Sequence, residues 1–154
     1  MKETVRPEDI KRFNELYHFY VRQNLASKSS VPDELKGLSA IDISVVNIVS
    51  SNPDIIIREI AEILNVPNST LTSSLNRLEK KGIANRIISK RDKRSFGIEL
   101  TDKGARVQQI HLEFERAYFE RILAKLDTHE KQTLLLDLLQ EVIYSNQNAE
   151  NSKE

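Results

Sequence analysis

The chain has 154 residues, 39% hydrophobic and 30% charged, which suits one folded domain with or without helical extensions and argues against wholesale disorder. Its 23 basic and 23 acidic side chains cancel, so a nucleic-acid surface would have to come from where the charges sit, not from their sum. The absence of cysteine excludes a disulfide framework, a cysteine nucleophile, a thiolate zinc site and a thiol redox sensor.

Residues 1–13 are studded with charge and lack the apolar stretch of a secretory signal. The longest uncharged apolar stretch, Ile43 to Pro53, has 11 residues, whereas a membrane span needs about 20. A soluble, cytoplasmic protein without a membrane partner is expected. The first helix is predicted to begin near Pro7, a residue favoured in the first helical turn. Ile10, Phe13, Tyr17, Tyr20, Val21 and Leu25 recur at spacings of three and four, an amphipathic stripe that ends within Ala26 to Val31. Pro32 to Gly37 is read as a connection.

A second helix is predicted from Ser39, its N-cap, to about Ser51, with Ile41, Val45, Ile48 and Val49 inward. Asn52-Pro53-Asp54 breaks it, and Ile55 to Ile57 is long enough only for a small edge or bridging strand. A short helix from Arg58 to Asn65 would turn Ile60, Ile63 and Leu64 inward. After the turn Val66-Pro67-Asn68, a helix from Ser69 to Lys81 would bury Leu71, Leu75 and Leu78. Gly82, behind two lysines, is its expected stop.

The period then changes to two. Ile83 to Ser89 and Phe96 to Leu100 are predicted strands of a hairpin whose tip is Lys90 to Ser95. Thr101 or Asp102 can cap a helix running to about Leu126. Asp127 and Glu130 have capping-box spacing for a last helix. That helix carries two apolar rows, Leu134, Leu138, Val142 and Leu135, Leu139, Ile143, ahead of a polar tail from Asn146.

Short helix, tight turn, helix and basic hairpin together form a winged helix-turn-helix. In this arrangement the second helix leaves one face free for a DNA major groove. That face is Asn68, Ser69, Thr70, Thr72, Ser73, Asn76 and Arg77; its hydroxyls permit close approach, and Asn and Arg suit adenine and guanine edges. The hairpin adds Arg86, Lys90, Arg91, Lys93 and Arg94 against a single acid, Asp92, for phosphates and the minor groove. Residues 77–106 hold ten basic and four acidic side chains, so the neutral total conceals a segment of net charge +6. The fold class expected is mostly α with a small β-hairpin wing.

Asp92-Lys93-Arg94-Ser95-Phe96-Gly97-Ile98-Glu99-Leu100-Thr101-Asp102-Lys103-Gly104 resembles the wing signature of the MarR family of bacterial transcription regulators, Asp-x-Arg, a strand, then Leu-Thr-x-x-Gly. Asn68 through Thr72 and Leu75 through Gly82 resemble the recognition helix of that family. The resemblance implies a homodimer held by the first helix and the last two helices, with residues 1–34 and 101–154 as dimerisation region and 35–100 as DNA-binding domain. It implies two recognition helices in successive major grooves of a pseudo-palindromic, double-stranded operator, about 34 Å apart. It further implies that Asp92 orients the wing, that Arg94 enters the minor groove, and that a repressor is released by a small, often aromatic, effector. Ser73 departs from the pattern, since many members place arginine there.

Little else in the chain suggests chemistry. His18 suits interface or core, His129 a solvated helix start, and the His111–Glu115 spacing alone is a poor metal site. No phosphate-binding glycine loop, nucleophile elbow or His-Glu-x-x-His motif is present, so neither an enzyme nor a cofactor is expected. A winged-helix protein-interaction module and a regulator without a small ligand are the alternative readings.

Overall fold

The computed structural model describes residues 4–26 and 31–144. The expected end of the first helix and the polar tail lie outside the described residues. The elements in chain order are α1 (Pro7–Ala26), a 3-10 turn (Asp33–Leu35), α2 (Ala40–Ser51), α3 (Ile57–Leu64), α4 (Asn68–Lys80), β1 (Ala84–Ile88), β2 (Phe96–Leu100), α5 (Asp102–Leu123) and α6 (His129–Tyr144). The chain divides into two compact units, Met1–Val107 and Gln108–Glu154.

The core of the first unit is aliphatic. Val45 and Val46 of α2, Ile60 of α3, Leu71, Leu75 and Leu78 of α4, Ile83, Ile98 of β2 and Val107 of α5 are all buried. The 3-10 turn within the Pro32–Gly37 connection adds buried Leu35. Ser39 caps α2 as expected and does so reciprocally: its hydroxyl accepts from Asp42 N, and the Asp42 carboxylate accepts from Ser39 N at 2.8 Å.

The helix-turn-helix is α3 and α4. Asn65 closes α3 in the left-handed region at φ 48°, a conformation asparagine tolerates, and Val66 N reaches back to Ala61 O. Pro67 then opens α4, which starts at Asn68, one residue before the expected Ser69. Gly82 ends that helix at φ +68°, with Gly82 N on Glu79 O and Ile83 N on Leu78 O. The hairpin pairs Ala84 with Leu100, Arg86 with Ile98 and Ile88 with Phe96. Ile56 bridges antiparallel to Gly97, so the short isoleucine run does serve as a bridge.

Three expectations are corrected. Ile63 is 58% exposed, because α3 is too short to bury more than the Ile60–Ala61 side. The N-terminal cap of α6 is Thr128, whose hydroxyl accepts from Lys131 N, not a box between Asp127 and Glu130. Asp127 instead pairs with Lys131 Nζ at 2.5 Å. Finally, α5 stops at Leu123, whose carbonyl accepts from Leu126 N at 3.0 Å in a tighter closing turn, and the Gln132 side chain donates to Leu123 O and Leu126 O.

None of the described residues of α6 is buried, and Leu134, Leu136, Leu138, Leu139, Val142 and Ile143 are all exposed. On α1 the predicted stripe of Ile10, Phe13, Tyr17 and Tyr20 is likewise exposed. Among the described residues no helix is long and apolar enough to cross a membrane.

Candidate nucleic-acid interface

The polar face predicted for α4 is where periodicity puts it. Leu71, Ser74, Leu75 and Leu78 are buried, and Asn68, Ser69, Thr72, Ser73, Asn76 and Arg77 are exposed, with Thr70 half-buried. The Ser73 hydroxyl donates to Ser69 O at 2.9 Å, so it spends its proton on its own helix and offers an external partner its lone pairs.

Arg77 is less free than its exposure suggests. Its guanidinium forks onto Asp42, Nε to Oδ2 at 3.1 Å and Nη2 to Oδ1 at 2.9 Å, and Nη2 also reaches the Ser39 hydroxyl. Asp42 is fully buried and accepts a further bond of 2.6 Å from the Ser74 hydroxyl. Burial alone would raise the Asp42 pKa. Hydrogen bonds from Arg77, Ser74 and Ser39 outweigh it and hold the carboxyl below its usual value. Arg77 therefore joins the exposed side of α4 to the first turn of α2.

Two wing arginines are held in the same way. Arg86 donates from its backbone N and from Nη1 to the Glu79 carboxylate, and from Nη2 to Asn76 Oδ1 at 2.9 Å. Arg91 donates to Glu59 at 2.6 Å, and Glu59 also accepts from Ile56 N at the start of α3. The bond from Arg91, then that from Ile56, lowers the Glu59 pKa. These contacts fix the wing to both helices of the helix-turn-helix.

The tip is organised by Asp92. Its carboxylate accepts from Arg94 N at 3.0 Å and from the Ser95 hydroxyl at 2.6 Å, and its N donates to the hydroxyl of buried Ser89. The Ser95 bond, then the Arg94 one, pulls the Asp92 pKa down. Such local carboxylate–backbone bonds set a turn without help from the core. Lys90, Lys93 and Arg94 project from it, exposed, with no side-chain hydrogen bond or ion pair to another described residue.

The sequence pattern brings the right elements together but does not single out Asp42, Glu59, Ser74 and Glu79. The Ser39-x-x-Asp42 spacing was a usable signal for Asp42. The pairs Asp42–Arg77 and Glu59–Arg91, 35 and 32 positions apart, carry no local signal. Among the described residues no group of three or more His, Cys, Asp or Glu could hold a metal, and His111 Nε2 lies 3.7 Å from the Glu115 carboxylate.

Comparison with known proteins places this geometry. Residues 38–96 match the sequence profile of the MarR family. The HTH-type transcriptional regulator PecS of Dickeya dadantii is 40% identical over 75 residues, 46% of this chain and 45% of PecS. The uncharacterized HTH-type transcriptional regulator YwaE of Bacillus subtilis is 30% identical over 86 residues, 55% of this chain and 49% of YwaE. The chain thus spans about half the length of the curated relatives it matches. Among solved structures, Streptococcus pneumoniae FabT in complex with DNA is similar at a TM-score of 0.74 and 25% identity, covering 91% of this chain and 99% of FabT. With its helix pair, its Asp92-ordered wing and this match, residues 38–96 are similar to the winged helix-turn-helix of the MarR family.

Proposed function

We propose that the chain is a sequence-specific regulator of transcription in the cytoplasm that binds double-stranded, pseudo-palindromic operator DNA as a homodimer and acts as a repressor. The observation that carries this reading is the exposed polar face of α4 beside a wing tip, turned by Asp92, on which Lys90, Lys93 and Arg94 are exposed. A helix of this kind fits a major groove, and unpaired cations at a tip suit phosphates and a narrow minor groove. The FabT structure, with DNA bound, supports the same use of the fold.

The second copy belongs on the exposed apolar faces of α1 and α6, which a monomer would leave in water. Residues 1–34 and 101–154 then form the dimerisation region around the DNA-binding segment 35–100. Control by a small aromatic effector belongs to the same proposal.

Fluorescence anisotropy against DNA from the upstream region of the gene, at several salt concentrations, tests the reading. Saturable binding much tighter than to random DNA, with a steep negative salt slope, is expected. Arg94→Ala should weaken operator binding roughly fivefold to a hundredfold if it meets a base edge, or lower the salt slope by about 1 if it meets a phosphate. Unchanged affinity and slope would remove Arg94 from the interface. Indiscriminate or absent binding by a folded dimer would favour a protein-interaction module. Screening aromatic acids in the same assay separates a ligand-controlled regulator from one without a small ligand.

A further inference from the structure

The geometry points to Asn76 as a donor-only reader, with Arg86 as the positioning residue that makes it one, so that the pair selects guanine over adenine at the base it meets. The inference rests on the DNA-binding reading above. Asn76 is exposed on the same side of α4 as Ser69, Thr72 and Ser73. An asparagine usually reads adenine by accepting from N6–H2 through Oδ1 and donating to N7 through Nδ2. Here Oδ1 already accepts from Arg86 Nη2 at 2.9 Å. A guanidinium has donors and no acceptor, so only the amide oxygen can face it, and the Nδ2 donors must point elsewhere. The second lone pair of Oδ1 lies beside the same positive charge, which repels an incoming N6–H2 donor.

Arg86 is not free to leave. Glu79 accepts from both its backbone N and its Nη1, so moving the Arg86 guanidinium away from Asn76 means breaking a charge-assisted pair at a half-buried site. The surface shown to a major groove at this point is therefore built of N–H donors. Guanine offers two acceptors there, N7 and O6, whereas adenine offers one acceptor and one donor.

Selection from randomised duplexes tests this, using full-length wild type, Asn76→Ala and Arg86→Ala, each first checked for folding by circular dichroism. The base pair whose preference disappears in Asn76→Ala marks the Asn76 position. Wild type should favour guanine over adenine there by at least about fivefold. Arg86→Ala, which frees Oδ1, should move that preference toward adenine while leaving the other positions unchanged, a shift that a merely structural role would not produce. If Arg86→Ala does not fold, the wild-type preference at the mapped position decides alone. Adenine preferred by wild type, an unmoved preference in folded Arg86→Ala, or uniform weakening by Asn76→Ala (a phosphate contact) would overturn the inference alone. Enrichment of no sequence by wild type would overturn the DNA-binding reading and this inference with it.

Discussion

Gly104→Ala is expected to destabilise the protein by about 3 kcal/mol, the upper end of the cost of overpacking, measured by urea unfolding. Helix propensity gives the opposite sign, since alanine is better than glycine in a helix by roughly 1 kcal/mol. The structure decides between them. A Cβ at Gly104 would lie 2.0 Å from the carbonyl oxygen of Ile83 and 3.2 Å from Leu100 Cβ. The obstacle is backbone, and that backbone is committed: Ile83 O accepts from Thr101 N and from the Thr101 hydroxyl, which also bonds Gly82 O. The same hydroxyl accepts from Gly104 N and so caps α5. Thr101 and Gly104 thus strap the end of the α4 turn to the start of α5, which is the physical content of Leu-Thr-x-x-Gly here. A stabilised Gly104→Ala protein would show that α5 can move away from Ile83.

Scarce punctuation made the winged helix-turn-helix legible. Pro67, Gly82 and the change of period after Gly82 bound the elements, and Leu71, Leu75 and Leu78 orient α4 without ambiguity. What the sequence leaves out is which cations are already spoken for. Residues 77–106 read as one basic surface, yet Arg77, Arg86 and Arg91 are bonded to Asp42, Glu79 and Glu59. Only folding brings those carboxylates near, so charge counting overstates what a DNA phosphate could take up. Ile63 shows the same limit for apolar residues: its spacing from Ile60 suits an inward face, but the face of an eight-residue helix is narrower than its pattern. The exposed rows of α6 are legible as a face and silent about what covers it.

The partition has a consequence for affinity. Arginines held by internal carboxylates keep α4 and the wing in register, and Lys90, Lys93 and Arg94 supply the uncommitted charge. In the proposed DNA complex, preorganisation of this kind would lower the ordering cost of binding and leave the exposed tip cations for salt-dependent contacts.

Asp42→Ala is the second large effect, an expected loss of about 3 kcal/mol. It removes charge-assisted bonds to Arg77 and Ser39 and leaves the hydroxyl of buried Ser74 without its acceptor. Arg77→Ala should also destabilise, since it strands a carboxylate with no exposure to water, although Ser74 and Ser39 still bond it. Because the Arg77 side chain is 46% exposed, water softens that loss. A double-mutant cycle isolates the pair: if Arg77 served DNA alone, its substitution would leave free-protein stability untouched and show no coupling to Asp42. The pH dependence has a definite sign. The Asp42 pKa in the folded protein lies below its ordinary 3.8, so the carboxylate contributes its full stability above about pH 5 and loses it as pH falls through the depressed value. Asp42→Asn removes that ionisation. Wild type should exceed it in stability at neutral pH, and the gap should narrow below about pH 4 as the wild-type carboxyl takes up its proton. A gap that stayed constant down to acid pH would mean that Asp42 acts through shape and hydrogen bonding, not through its charge.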